Sequence, residues 1–143
     1  MIEKILVPLP VEASKSAAPA VEMASEIAKA HGAKIVLLHV VENIPAYVSE
    51  HLPAELRKNV IAAAREDLEA VAKNHGLDDS TEIVVREGNP GADILDYAND
   101  NGIDMIVMSS HDPGMADYLL GSVAARVVRH AHCSVLVVRQ RKS

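Results

Sequence analysis

Residues Met105 to Val123 read M-I-V-M-S-S-H-D-P-G-M-A-D-Y-L-L-G-S-V. The stretch starts as an unbroken apolar run and passes into a polar turn. It ends in Gly121-Ser122 at the head of a helical pattern. A buried strand that runs through a loop into a helix N-terminus is where open α/β sheets hold anions and nucleotides. The rest of the chain repeats this alternation. Ile5–Val7, Lys34–Val41, Thr81–Arg86, Asp104–Met108 and Ser134–Arg139 are short apolar runs, rich in Val and Ile. Between them lie segments with apolar residues at helical spacing.

Helix punctuation supports the same division. Ser14 or Ser16 is placed to cap the first helix, Pro19 suits its first turn, and Gly32 stops it. A longer helix is expected from Pro53 to His75, with Leu56, Val60, Ala64, Leu68, Val71 and Ala72 as its buried stripe and Gly76 at its end. Gly88-Asn89-Pro90 turns into a helix carrying Ile94, Leu95 and Ala98, closed by Gly102. The last helix spans Ser122 to His130. The order β-α-β-α-β-α-β-α-β with continuous apolar strands predicts an α/β fold. It is one domain, a doubly wound, five-stranded parallel sheet with helices on both faces. In that architecture the site lies beyond the carboxyl ends of the strands, here Val7-Pro8, His39-Val40 and Met108-Ser109.

Composition narrows the function. The chain has 143 residues, 49% of them hydrophobic, with no Phe or Trp and three Tyr, so its core is aliphatic. A formal net charge of −6 disfavours nucleic acid and anionic membranes, which are bound through basic patches. No apolar run approaches the ~20 residues of a transmembrane helix, and Met1-Ile2-Glu3-Lys4 does not read as a signal peptide. A cytoplasmic location is expected. The single Cys133 reads as a buried structural thiol. Val135 to Val138 are expected on an edge strand, where an apolar edge invites a second copy to pair as a homodimer.

The candidate chemistry concentrates at Gly121-Ser122. Glycine lets backbone approach a phosphate, and the first N–H groups of a helix point at it with the dipole in support. The plain alternative is an ordinary N-cap at Ser122. Ser109-Ser110-His111-Asp112 is no catalytic triad, because a triad needs side chains converging from separate parts of a fold. His130 and His132 have no acidic or Cys partner at metal-binding spacing. His39, inside an apolar strand, reads as a hydrogen-bonded core histidine, and Asp93, Asp96 and Asp100 as a solvated face.

Taken in order, several motifs resemble the universal stress protein family, which has an adenine nucleotide alpha-hydrolase-like, Rossmann-like fold. They are K-I-L-V-P at Lys4 to Pro8, L-L-H-V-V at Leu37 to Val41, and G-x-P at Gly88 and Pro90. They continue with D-M-I-V-M-S-S-H at Asp104 to His111, L-L-G-S-V-A at Leu119 to Ala124, and V-V-R-H-A-H-C-S-V-L-V-V-R at Val127 to Arg139. The resemblance implies a stress-response or regulatory module that binds ATP or AMP, with Mg²⁺ as a possible companion. It places the adenine near Pro8, Leu9 and Val40, with Val40 backbone groups on its edge. Met108 and Ser109 would flank the ribose, Gly121, Ser122 and Val123 would hold phosphate, and His111 would stand close by.

The chain departs from the nucleotide-binding pattern of that family. Ser109 and Asp112 stand where two early glycines are usual, eight residues separate Asp112 from Gly121, and Pro10 replaces an Asp. A non-nucleotide, dimeric interaction module with Asp112 and Met115 filling the pocket is the alternative. An ATP pyrophosphatase is disfavoured, since Leu9 to Ser14 lacks the S-G-G-x-D-S signature such enzymes carry. No general base is evident near a phosphate, so any ATP hydrolysis is expected to be slow.

Overall fold

A computed structural model describes residues 1–10, 13–16, 18–42, 50–51, 53–110 and 120–139. In chain order the elements are β1 (Lys4–Pro8), α1 (Ala13–Ser16), α2 (Ala18–His31), β2 (Lys34–Glu42), α3 (Ala54–Asn74) and β3 (Glu82–Gly88). Then come α4 (Pro90–Asp100), β4 (Met105–Ser109), α5 (Ser122–His130) and β5 (Ser134–Val138). The five strands form one parallel sheet in the order β3-β2-β1-β4-β5. The expected α/β doubly wound topology is therefore present, with β1 at the centre and connections leaving it in both directions.

Alternation along the strands sorts the aliphatic core onto two faces. Ile5 and Val7 of β1, Ile35 and Leu37 of β2 and Val107 of β4 meet Val21 and Ala24 of α2 and Leu68 and Val71 of α3. Leu6, Val36, Leu38, Val40, Ile106 and Met108 meet Ile94, Tyr97 and Ala98 of α4 and Ala124 and Val127 of α5. The central strands are thus covered on both sides, which is why they read as continuous apolar runs. The start of β1 is pinned to β4 by Asp104, whose Oδ2 accepts from the N–H groups of Glu3 and Lys4 at 2.9 and 3.0 Å.

Several local expectations need correction. Ser14 does not cap the first helical segment: it lies within α1, and its Oγ donates to the Asp67 carboxylate on α3. Asp93 is not a free member of a solvated face. It lies 4.0 Å from Arg86 and beside the buried Gly88, where an added Cβ would come within 1.9 Å of its Oδ2. Cys133 is only half-buried, and burial still pushes its thiol pKa up. The stripe on α3 is buried only in its C-terminal half. Leu68 and Val71 are enclosed, whereas Leu56 and Val60 are 48% and 50% exposed. Val60 stands at the carboxyl end of the sheet, where it borders the same cavity as Val40 to Glu42 rather than the core.

Among the described residues no helix is long and apolar enough to cross a membrane. The difference in burial sets a contrast in stability. Leu68→Ala should lower the unfolding free energy by about 2–5 kcal/mol, and Leu56→Ala should change it by no more than ~0.5 kcal/mol. Urea denaturation of both variants measures this. Equal losses would mean that α3 packs along its whole length.

Candidate functional site

The site follows from strands of unequal reach. Pro8, the last residue of β1, lies opposite Leu38, yet β2 continues to Glu42. Leu9 still donates its N–H to the Leu38 carbonyl at 2.8 Å before the chain turns away. In a parallel sheet successive residues face alternate neighbours. Leu38 faces β1, so Val40, two residues on, turns its N–H and carbonyl toward the same side, past the last rung. On the other flank, Ser110 donates its N–H to the Val138 carbonyl at 3.1 Å and therefore faces β5. Ser109 then faces back toward β1. Beyond Pro8 the sheet has a gap one strand wide, bordered by the Val40 and Ser109 edges about 10 Å apart.

A cavity of about 440 Å³ occupies this position. Pro8, Leu9 and Pro10 form its floor, and Leu38 to Glu42 one wall. Met108, Ser109, Gly121, Val123 and Ala124 form the opposite side, and Pro90 and Ile94 come from α4. Seven of the nine sequence-predicted site residues meet here: Pro8, Leu9, Val40, Met108, Ser109, Gly121 and Val123. Ser122 is exposed at the first helical position and is not part of the lining. His111 lies outside the described residues, as do Asp112, Met115 and Glu12.

The helix start differs from the plain capping alternative. Gly121, not Ser122, is the N-cap of α5, and no side chain there bonds to the first turn. The φ of Gly121 is −59°, so the position does not demand glycine for its backbone conformation. What glycine provides is a buried, side-chain-free approach to the first N–H groups of α5. Their place is fixed by the Gly121 N–H, which donates to the Ser110 carbonyl at 2.8 Å and ties the helix start to the end of β4.

Two further contacts hold the walls. His39 Nδ1 lies 2.8 Å from the Leu9 carbonyl, so the expected hydrogen-bonded histidine is present, and it also lines the cavity. On α4, Asn89 accepts from the Ala92 N–H at 3.1 Å and also takes Nη1 of Arg126 at 3.3 Å. The Arg126 side chain crosses Gly91 so closely that a Cβ there would lie 2.8 Å from its Cδ. This bridge joins α4 to α5 below the cavity. Sequence patterns alone did not point to Pro10, Glu42, Val60, Pro90 or Ile94 as lining. Pro90 and Ile94 could have been found from the G-x-P turn, which starts α4 at the carboxyl end of β3.

The model of the universal stress protein family matches residues 1–139. The chain belongs to the universal stress protein family. A universal stress protein of Methanocaldococcus jannaschii is 34% identical over 140 residues, covering 94% of this chain and 81% of that protein. The structure of the universal stress protein UspA from Lactobacillus plantarum superposes with a TM-score of 0.78 at 27% identity, covering 96% of this chain and 98% of that one. Two more distant family structures show the same fold. One is a complex with cAMP (TM-score 0.68, 24% identity, 98% and 99% covered). The other, from Archaeoglobus fulgidus, is a complex with dAMP (TM-score 0.62, 20% identity, 97% and 100% covered).

The His39 contact gives this family member a testable anchor. His39→Leu removes the donor to the Leu9 carbonyl and should cost about 1 kcal/mol of stability. Amide exchange at Leu9 should also quicken relative to that at Val7. Unchanged exchange at Leu9 would show that the strand end is held without the imidazole.

Proposed function

We propose that this universal stress protein is an adenine-nucleotide-binding stress-response or regulatory module of the cytoplasm, built from the whole of residues 1–143. The observation that carries this reading is the Val40 edge, which among the described residues has no β1 partner beyond the Pro8–Leu38 rung. A strand-edge N–H beside a carbonyl presents a donor and an acceptor, and the Watson–Crick edge of adenine presents the complementary pair, the N1 acceptor and the N6 donor. The apolar walls formed by Pro8, Leu9, Leu38, Ile94 and Met108 suit the faces of a base. The ribose would lie against Met108 and Ser109. The N–H groups of Ser122, Val123 and Ala124, at the positive end of α5, would receive phosphate. Relatives crystallised with cAMP and dAMP support an adenylate as the ligand.

Among the described residues no cluster of three His, Cys, Asp or Glu side chains is placed to hold a metal ion. The edges of the sheet differ in a way that favours homodimer formation through β5. The outer strand β3 carries Glu82, Arg86 and Glu87, paired with Lys34, Asp93 and Arg57. The residues of β5, Ser134–Val138, carry no charge, and Val135 to Val138 are only half-buried. Charge on an edge strand discourages pairing, and its absence permits it.

Millimolar adenylate should raise the melting temperature of the protein. Ser122→Asp should stabilise the free protein slightly, because a carboxylate at a helix start is favourable by about 0.3–1 kcal/mol. The same substitution should abolish the nucleotide-induced shift by repelling phosphate. No shift in the parent protein with any adenylate would refute the binding assignment and leave a dimeric interaction module. For the dimer, light scattering should report two copies per particle at micromolar concentration, and Val137→Lys should yield monomers.

A further inference from the structure

We infer that two copies of the chain share the phosphate end of the site: in the β5-linked dimer, Arg129 of the partner subunit stands beside the first turn of α5 and meets the bound phosphate. The inference rests on the adenylate and dimer readings above. It supplies a cation that the cavity of one copy does not hold, for among the described residues the lining contains no lysine or arginine. Other cations at the carboxyl end belong to helices on the opposite face of the sheet from α5. Lys15 is on α1, and Arg57 and Lys58 are on α3, where Arg57 lies 3.9 Å from Glu87.

What each residue of α5 meets assigns the sides of the helix. Ala124 and Val127 are buried in the cluster of Ile106 and Met108, beneath the helix. Arg126 reaches sideways to α4, where its Nη1 lies 3.3 Å from the Asn89 amide oxygen. Val128 stands about 200° round the helix from Arg126 and so looks the other way, out over the edge strand β5. It is 47% exposed. Ser122 and Arg129, about two turns apart, share the outer face, and both are exposed. No ion pair among the described residues engages Arg129. Beyond β5 no described element continues the sheet.

A second copy is the occupant that suits this edge. A two-fold interface must complement itself, and the uncharged β5 does so. The charges on β3 disfavour the alternative, an open chain of β5 against β3. A strand paired with its own copy about a two-fold runs antiparallel, because the two strands of a parallel ladder are not equivalent. The start of α5 is level with the end of β5, since the Gly121 N–H binds the Ser110 carbonyl and the Ser110 N–H binds the Val138 carbonyl. Its far end is separated from the start of β5 only by Ala131, His132 and Cys133. An axis that centres one β5 on the other therefore sets α5 antiparallel to its copy, on the same face of the joined sheet. The two helices are then two or three strand spacings apart, about 10–14 Å. Val128 turns toward the copy, and the partner's Arg129 comes level with Val123. An arginine side chain spans that gap and presents forked donors to a phosphate on the first N–H groups of α5.

Isothermal titration of the intact protein with adenosine and AMP tests the inference. Arg129→Gln should weaken AMP binding by about tenfold or more, the worth of one charge-assisted hydrogen bond. The loss should spare adenosine, which carries no phosphate, and light scattering should still report a dimer. Co-expression of two variants with different tags then separates the partner's Arg129 from the chain's own. Arg129→Gln and Ser122→Asp each impair both sites of their own dimers. In the mixed dimer, the subunit carrying Arg129→Gln keeps an intact α5 start and faces Arg129 of the partner subunit. It should regain AMP binding of parental affinity, one site per mixed dimer. Mixed dimers without a regained site, or unchanged AMP affinity in Arg129→Gln, would overturn the shared site while adenosine binding upholds the adenylate reading. A parent protein that scatters as a monomer would overturn the dimer reading and the inference together. Failure of adenosine and AMP alike would overturn the adenylate reading and the inference with it.

Discussion

The geometry of this protein depends on where β1 stops. Its last rung pairs Pro8 with Leu38, four residues before β2 ends at Glu42. Had β1 run on beside β2, its backbone would have satisfied Val40 and filled the centre of the sheet. Pro10 helps to forbid that continuation, since proline has no N–H to donate to a ladder. The Leu9 N–H and the His39 imidazole then hold the departing chain against β2. The result is a slot with strand edges on both sides, at the point where the strand order reverses.

Keeping the slot open requires its far side to stay in place. That side is built from two helix starts, and a helix start is held only by what caps or ties it. The Ser110 carbonyl fixes the Gly121 N–H, and Ser110 itself is fixed to β5 through the Val138 carbonyl. Asn89 caps α4, and Arg126 reaches from α5 to the same amide oxygen. Gly91 is small because the arginine stem passes over it, and Gly88 is small because Asp93 does. These contacts are polar and partly exposed, individually of the order of 1 kcal/mol. Their value is in positioning, while the aliphatic layers on either side of β1 and β4 supply the stability.

Much of this was legible in the sequence. Strand–helix alternation and continuous Val- and Ile-rich runs determined the parallel, two-sided sheet, because burial on both faces removes the period-two polarity of a half-exposed strand. The predicted helix stops are present, with Gly32, Gly76 and Gly102 at φ of +67°, +63° and +63°. Other features depended on distances between elements, which periodicity does not encode. Leu56 and Val60 obey the same spacing as Leu68 and Val71, yet both are half-exposed, and Val60 borders the cavity instead of the core. Asp93 sits on a helix face that looks solvated until β3 brings Arg86 alongside. Ser122 resembles a cap by residue type, but the turn after β4 gives that role to Gly121.

The site itself was legible in a particular way. Motifs record side chains, and at Ser109 and Pro10 the side chains depart from the nucleotide-binding pattern. The crevice is bordered instead by backbone: the Val40 edge, the Ser109 edge and the first turn of α5. Backbone groups are present whatever residue carries them, provided the register holds. A serine for a glycine at position 109 therefore adds a Cβ to the cavity wall but leaves the strand edge facing the same way. Charge is different, because it belongs to side chains and acts at a distance. Substitutions around such a slot can preserve its shape and its strand edges while altering the charge at its mouth.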